Sequence, residues 1–422
     1  VYEAISMEEM GKPTVSLVNK GFMNDAQSAA SSKGWPSLRF VAEDVPSECS
    51  VMERIDASLE KAMDEIVAGL LRPLKPEEAS PKSREGKRLS RIVFKGTLRE
   101  VNRFFYKRGW GDGLPLIPPT EEAVAEMLTG TDLPPDHLVA RIIPRMGKAT
   151  VEQIAVNAVM AGALPTHLPV LIAGVQALAD PLSNFSAWEV STGAWAPFWI
   201  INGPVRHDLR LISGTGALSP GDIANAAIGR AMGLIVKNIG GARKGVEDMG
   251  TFGNPGKYSM VLAENEEESP WAPLHVQQGL APEESAISVS FPNCHWTLWP
   301  TATDGESLLR TIAEGLFPST PGQSCTNLLL VPTHAKTLAD MGWTKKTLAG
   351  FVNDHARPGV GKDFVSPTDG KGDVFTVVCG GPGSWIVLTK GGNGLTKKID
   401  LPATWDGLVK KYKDLVPTYA RY

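Results

Sequence analysis

Several stretches of this sequence hold side chains whose types and spacing suit chemistry. From Asn238 to Lys257 (NIGGARKGVEDMGTFGNPGK) six glycines, among them Gly240 and Gly241, interleave with Arg243, Lys244 and Lys257. Backbone amides left open by glycine, next to cationic side chains, form a cradle for a carboxylate or phosphate. Neither GxxxxGK[ST] nor GxGxxG occurs there, so this is not a nucleotide-phosphate loop. The same glycines also serve as plain turn formers. Just beyond come Glu264, Glu266, Glu267, Glu268 and His275. If the residues before Glu264 form a strand, Glu264 and Glu266 share a face and, with His275, could move protons or hold a divalent cation. An acidic run at a strand end is otherwise a solvated surface.

Cys294 stands beside His295 between two prolines and two tryptophans. A loop that folded them together would make a thiolate nucleophile, although adjacent residues of an extended chain point apart. Cys379 ends the apolar run Val374–Val378 before a Gly-Gly-Pro-Gly turn and a return strand, a place where α/β proteins collect ligands. Both cysteines read equally as small buried residues. Two loops are rich in tryptophan and poor in charge. One carries Trp188, Trp195 and Trp199; the other, Gly109 to Pro119, carries Trp110 and Asp112. Such loops suit the wall of a small-molecule pocket or a subunit interface. No GxSxG or HExxH pattern occurs in them.

The elements that must position these residues follow from periodicity. Helix Val1–Met10, strand Thr14–Val18, helix Asn24–Ser32, strand Ser37–Val41 and helix Val51–Leu71 are expected, the last from Ile55, Leu59, Met63, Ile66 and Leu70 at helical spacing. This α-β-α-β-α order makes a parallel crossover. Two strands are too few for a parallel sheet buried on both faces, so residues 1–75 read as an α/β half domain with an incomplete sheet. A polar, Pro-containing linker at 76–91 precedes a larger α+β domain at 92–422. Its helices are expected at Leu98–Lys107, Thr120–Leu128, Thr150–Ala161, Leu168–Ala179, Pro220–Lys237, Gly305–Gly315 and Lys345–His355, and its strands at Phe198–Ile201, Ser259–Leu262, Ala286–Phe291, Asn327–Val331 and Val374–Val378.

Composition narrows the function classes. A formal charge of -4 with scattered basic residues argues against nucleic acid or an anionic membrane as partner. No apolar run reaches membrane-spanning length and no signal peptide is visible. Four cysteines, none in CxxC, suit a reducing cytoplasm.

Several stretches together resemble a known family. Gly240–Arg243 and Met249–Tyr258, followed by Ala263–Glu267 and Ser269–His275, and joined by Asp112-Gly113-Leu114-Pro115 and Asn202-Gly203-Pro204, resemble a bacterial family associated with UGSC-type (seleno)proteins. That likeness covers most of residues 98 to 280. Residues 1–75, through Ala4-Ile5, Gly11–Val15 and Ile66–Leu70, look like the second half of a UGSC-type domain, distantly similar to the selenoprotein subunits of glycine and proline reductases. In that family a Sec/Cys-Gly-Ser-Cys motif lies just upstream of the stretch that begins here at Val1. None of this chain's cysteines stands in that position, so the resemblance transfers no nucleophile. It implies a hetero-oligomer in which another chain supplies the missing half.

The resulting expectation is a soluble enzyme subunit acting on a small anionic organic substrate by thiol-based nucleophilic or redox chemistry, in a site shared with the partner. Arg243, Lys244, Lys257, Gly240, Gly241, Trp188, Trp195, Trp199 and Asp112 would bind substrate. Cys294, Cys379, Glu264, Glu266 and His275 would carry catalysis. One alternative is a metal-dependent hydrolase, hydratase or lyase with a divalent cation on His275, Glu264 and Glu266. The other is a non-catalytic assembly subunit.

Overall fold

The computed structural model of the chain describes residues 1–44, 51–75, 90–316, 325–356 and 372–416. Cys49 and most of the expected linker lie outside them. The helices form where periodicity and end signals coincide. Thr97 and Glu100 close a capping box at the start of helix Leu98–Arg108, and left-handed Gly109 ends it. Thr120 and Thr150 cap helices Glu121–Leu128 and Val151–Ala161 in the same way. Helix Leu168–Ala179 is apolar on nearly every side and almost wholly buried, as a helix at the centre of a protein must be.

At the N-terminus, α1 (Tyr2–Glu9), β1 (Ser16–Asn19), α2 (Met23–Ser32), β2 (Phe40–Glu43) and α3 (Met52–Leu71) follow the expected order. Strands β1 and β2 pair in parallel, with Ser16 opposite Phe40. Both begin later than the sequence suggests. Thr14 is held back by Glu8, whose Oε1 accepts from its N–H at 2.6 Å and its hydroxyl at 2.9 Å. Ser37 and Leu38 sit in a turn, where the Leu38 N–H donates to the Trp35 carbonyl. No residue of α3 is buried. Met63 and Leu70 of its apolar stripe, and Val67 beside it, stay exposed, while Ile55, Leu59 and Ile66 are half-buried.

A hairpin of β3 (Leu138–Ile142) and β4 (Gly147–Thr150), not expected from the sequence, stands apart from the main sheet. The main sheet comprises β5 (Phe198–Asn202), β6 (Val261–Ala263), β7 (Ala286–Pro292), β8 (Trp296–Leu298), β9 (Cys325–Leu330), β10 (Asp373–Val378) and β11 (Ile386–Lys398). The strand order is β10-β9-β11-β7-β5-β6, with β8 on β11. Pairs β5–β6 and β9–β10 are parallel and the rest antiparallel, so the protein is mixed α/β. The return strand after Cys379 does not pair back on β10; β11 instead runs along the other side of β9.

The sheet curls until its two ends meet, where the Asn265 N–H donates to the Val378 carbonyl at 2.8 Å. Side-chain alternation in β5 divides the core accordingly. Trp199 and Ile201 join the core beneath the helices, whereas Phe198 and Ile200 fill the inside of the curl with Leu262, Leu329, Val377 and Cys379. A further cluster packs Leu308, Leu338 and Leu348 from three helices against Leu328, Leu330 and Ile386. Among the described residues no helix is long and apolar enough to cross a membrane.

Candidate functional site

A cavity of about 250 Å³ opens between the sheet's helix-covered face and the glycine-rich segment. Its apolar wall comes from elements distant in sequence. Trp199 projects from β5 and Phe291 from β7, while Trp188 sits on the short helix Phe185–Glu189. The Trp188 and Trp195 rings lie 4.9 Å apart at 59°, and Trp188 stacks on Phe291 at 6.5 Å. Gly392 of β11 makes room for this arrangement, because a Cβ there would lie 2.2 Å from the Trp188 ring. Both indole N–H groups are spent elsewhere, Trp188 on the Ser183 carbonyl and Trp195 on Ser191 Oγ, each at 3.0 Å. The rings are therefore fixed and offer apolar surface.

The facing wall is helix Ile223–Ile235, which widens into a π-helical turn at Val236–Gly240. That turn brings Lys237 to the cavity, where its ammonium donates to the Gly111 carbonyl. Burial lowers the Lys237 pKa, and the charge of Asp112 opposes the shift. Arg230 grips Asp112 with a fork, Nε to Oδ2 at 2.7 Å and an Nη to Oδ1 at 3.0 Å. Burial pushes Asp112 up, but hydrogen bonds from Arg230 and the Leu114 N–H outweigh it and hold the carboxyl low. Lys257 pairs with Asp248 at 2.6 Å, and Lys244 stands exposed at the edge.

One acid, beside Trp188 on the short helix Phe185–Glu189, is unlike the rest. Glu189 is only 6% exposed, and among the described residues nothing hydrogen-bonds its Oε2. Burial pushes its pKa up to about 8; Asp248, Asp25 and Glu247 add to the shift and Lys257 opposes it. Glu189 thus holds its proton at neutral pH.

The N-terminal segment reaches the same neighbourhood. Glu247 is fully buried and accepts from Ser28 Oγ of α2 and from Arg145 Nε, both at 2.8 Å, and from an Arg243 Nη at 2.6 Å. Burial would raise its pKa, but the bonds from Arg243 and Ser28 and the charge of Arg145 keep it at about 2. Its sequence neighbour Asp248 lines the cavity. Asp25 of α2 has an Oδ1 without a partner among the described residues, and its pKa rises to about 6 through burial and the nearby Glu247.

Six residues expected to bind substrate therefore converge on one cavity: Asp112, Trp188, Trp195, Trp199, Lys244 and Lys257. Arg243 faces away toward Glu247 and α2, and Gly240 and Gly241 pack against the Ile143–Arg145 turn. Glu189, Arg230 and Lys237 escape a reading by composition. The signal for Glu189 was a lone carboxyl among tryptophans. Lys237 depends on a π turn that the helical pattern does not announce.

The residues expected to carry catalysis lie elsewhere. Glu264, Glu266 and His275 do come together, beyond the C-terminal ends of β5 and β6. Glu264 is fully buried and accepts from Lys345 Nζ and Asn202 Nδ2 at 2.6 Å and from the Leu274 N–H at 2.7 Å. Glu266 accepts from the Gly203 N–H at 2.8 Å and pairs with Arg206 at 3.0 Å. His275 is fully buried, with Glu266 Oε1 4.0 Å from its Nδ1. Every carboxylate oxygen of Glu264 is taken, and among the described residues no group of three His, Cys, Asp or Glu is placed to hold a metal ion. Cys379 adjoins this knot inside the curl, where burial and the charge of Glu264 push its thiol up to about 12. Burial also raises Cys294, whose Sγ lies 3.8 Å from the Lys390 carbonyl, while His295 is exposed. Neither thiol lines the cavity.

Residues 1–72 match the model of the UGSC family, which supports a UGSC-type assignment for that segment. No curated protein and no solved structure matches the chain.

Proposed function

We propose that this chain is a subunit of an enzyme acting on a small anionic organic molecule, held in the tryptophan-walled cavity. The observation that carries this reading is the cavity's make-up: three ordered tryptophans, Lys237, Lys244 and Lys257, and a buried acid, Glu189, next to Trp188 on the same short helix. Flat apolar walls with a few convergent polar groups are what small-ligand sites are built from. The volume is just below the ~300–1,000 Å³ usual for drug-sized ligands, which suits a molecule of one ring.

A partner chain completes the site by docking on the N-terminal segment, read here as an α/β half domain. Its two parallel strands and the exposed apolar side chains of α3 favour that arrangement. Because neither half-buried Cys294 nor buried Cys379 lines the cavity, a reacting thiol is assigned to the partner.

The binding claim is tested by titrating the intact chain with benzoate and with benzylamine while following tryptophan fluorescence. Benzoate is expected to quench saturably and benzylamine not. Lys244→Ala should weaken benzoate by about 2- to 5-fold, the range for an exposed ion pair. Equal response to both compounds, or to neither, would sink the reading.

A further inference from the structure

The remaining polar feature of the cavity identifies the other end of the ligand. Glu189 lines the cavity, is nine-tenths buried, and its Oε2 has no partner among the described residues. An orphaned polar atom in an apolar wall is costly, and a ligand atom that satisfied it would bind with corresponding preference. We propose that Glu189 is a ligand-binding residue that donates a hydrogen bond from its carboxyl to a carbonyl oxygen of the ligand. On the cavity reading above, on which this rests, the ligand is then a planar unsaturated oxo acid. Its ring lies against Trp188, Trp195 and Trp199, its carboxylate is directed toward the lysines, and its keto oxygen meets Glu189.

The assignment to a carbonyl and not an ammonium or a second carboxylate follows from charge. A neutral carboxyl donates one hydrogen, and a carbonyl accepts one without carrying charge into the wall. A ligand ammonium would instead need Glu189 ionised, which the surrounding carboxylates oppose. The charged and titratable groups around Glu189 are Asp248 and Lys257, paired to each other, with Asp25 and Glu247 from the side of α2. Tyr2 of α1 also feels the charge of Glu189. Three of these groups are acids that disfavour a second negative charge, and Lys257 is already engaged by Asp248.

The test uses two probes alike except at the atom in question. Benzoylformate and phenylacetate share a ring and a carboxylate, but only the first has a carbonyl between them. At pH 6.5 the intact wild-type chain should bind benzoylformate about 5- to 10-fold more tightly than phenylacetate, the preference expected of one hydrogen bond. Raising the pH to 9.5 ionises Glu189 and should cost benzoylformate at least the roughly 5- to 10-fold of the hydrogen bond, with a ceiling of roughly 30-fold for a group titrating at about 8. Glu189→Gln keeps an N–H donor at every pH. It should bind benzoylformate within about 3-fold of wild type at pH 6.5 and lose far less of that affinity at pH 9.5. Because the variant retains all the lysines, their titration is common to both proteins and drops out of the comparison. Equal affinity for the two acids, or the same loss with pH in wild type and variant, would overturn the role of Glu189 while leaving the cavity standing. If neither acid binds, the cavity reading itself falls and this inference with it.

Discussion

Lys345 and Glu264 meet at 2.6 Å with both side chains sealed from solvent. The acidic cluster was legible in the sequence as a cluster, but not as a closed one. Its partners Lys345, Arg206 and Asn202 arrive from elements 81, 58 and 62 positions away, and no local pattern relates such residues. The same limit hid Arg230 behind Asp112. By contrast, Trp188, Trp195 and Trp199 stood out because a low-charge loop rich in indole has few other uses. A buried pair is weak evidence for stability, but breaking it strands a charge. Lys345→Met should therefore destabilise the protein by roughly 3–5 kcal/mol, read from the shift in urea midpoint. Adding Glu264→Gln, which removes the stranded charge and keeps an acceptor for Asn202 and the Leu274 N–H, should recover part of that loss. An unshifted midpoint in the single variant would mean that Glu264 has other compensation.

Among the elements, the helices were the most readable. Their apolar spacing, threonine caps and terminal glycine act locally, and each expected helix from Leu98 to His355 is present within a few residues. Strand pairing was less so, since β11 reaches past β10 to β9 through contacts that periodicity cannot encode. Helix α3 shows the opposite case: a sound local pattern that, among the described residues, buries none of its side chains. Nothing in it is fully buried, and Gly69 is tied down chiefly through its carbonyl, which accepts from Arg39. Most helical stability comes from burial of the apolar face. In the chain alone, amides of α3 should exchange with deuterium about 100-fold faster than those of the fully packed helix Leu168–Ala179. Comparable protection would show that α3 is stabilised without a partner.

At the scale of the whole molecule, the N-terminal segment meets the rest at Ser28, which donates to Glu247 at 2.8 Å and accepts from Arg145 Nε at 3.0 Å, while Arg145 and Arg243 hold Glu247 in place. Charge-assisted hydrogen bonds of this kind contribute about 1.5–3 kcal/mol each to a buried acceptor. Ser28→Ala removes both of the Ser28 bonds and should make residues 1–71 about 10-fold more susceptible to limited proteolysis, with the thermal transition of the remainder little changed. Resistance equal to wild type would place the fastening elsewhere. Composition cannot reveal such a grip, because its members span residues 28 to 247. Glu247 and Asp248 are joined by a single peptide bond, yet one accepts from Ser28 of α2 and the other pairs with Lys257 in the cavity lining. On the proposed reading, ligand contacts at Asp248 and seating of Ser28 on Glu247 bear on adjacent residues. Were the proposed partner and ligand both to bind, thermodynamic reciprocity would hold: the factor by which the partner changed ligand affinity would be the factor by which the ligand changed the partner's.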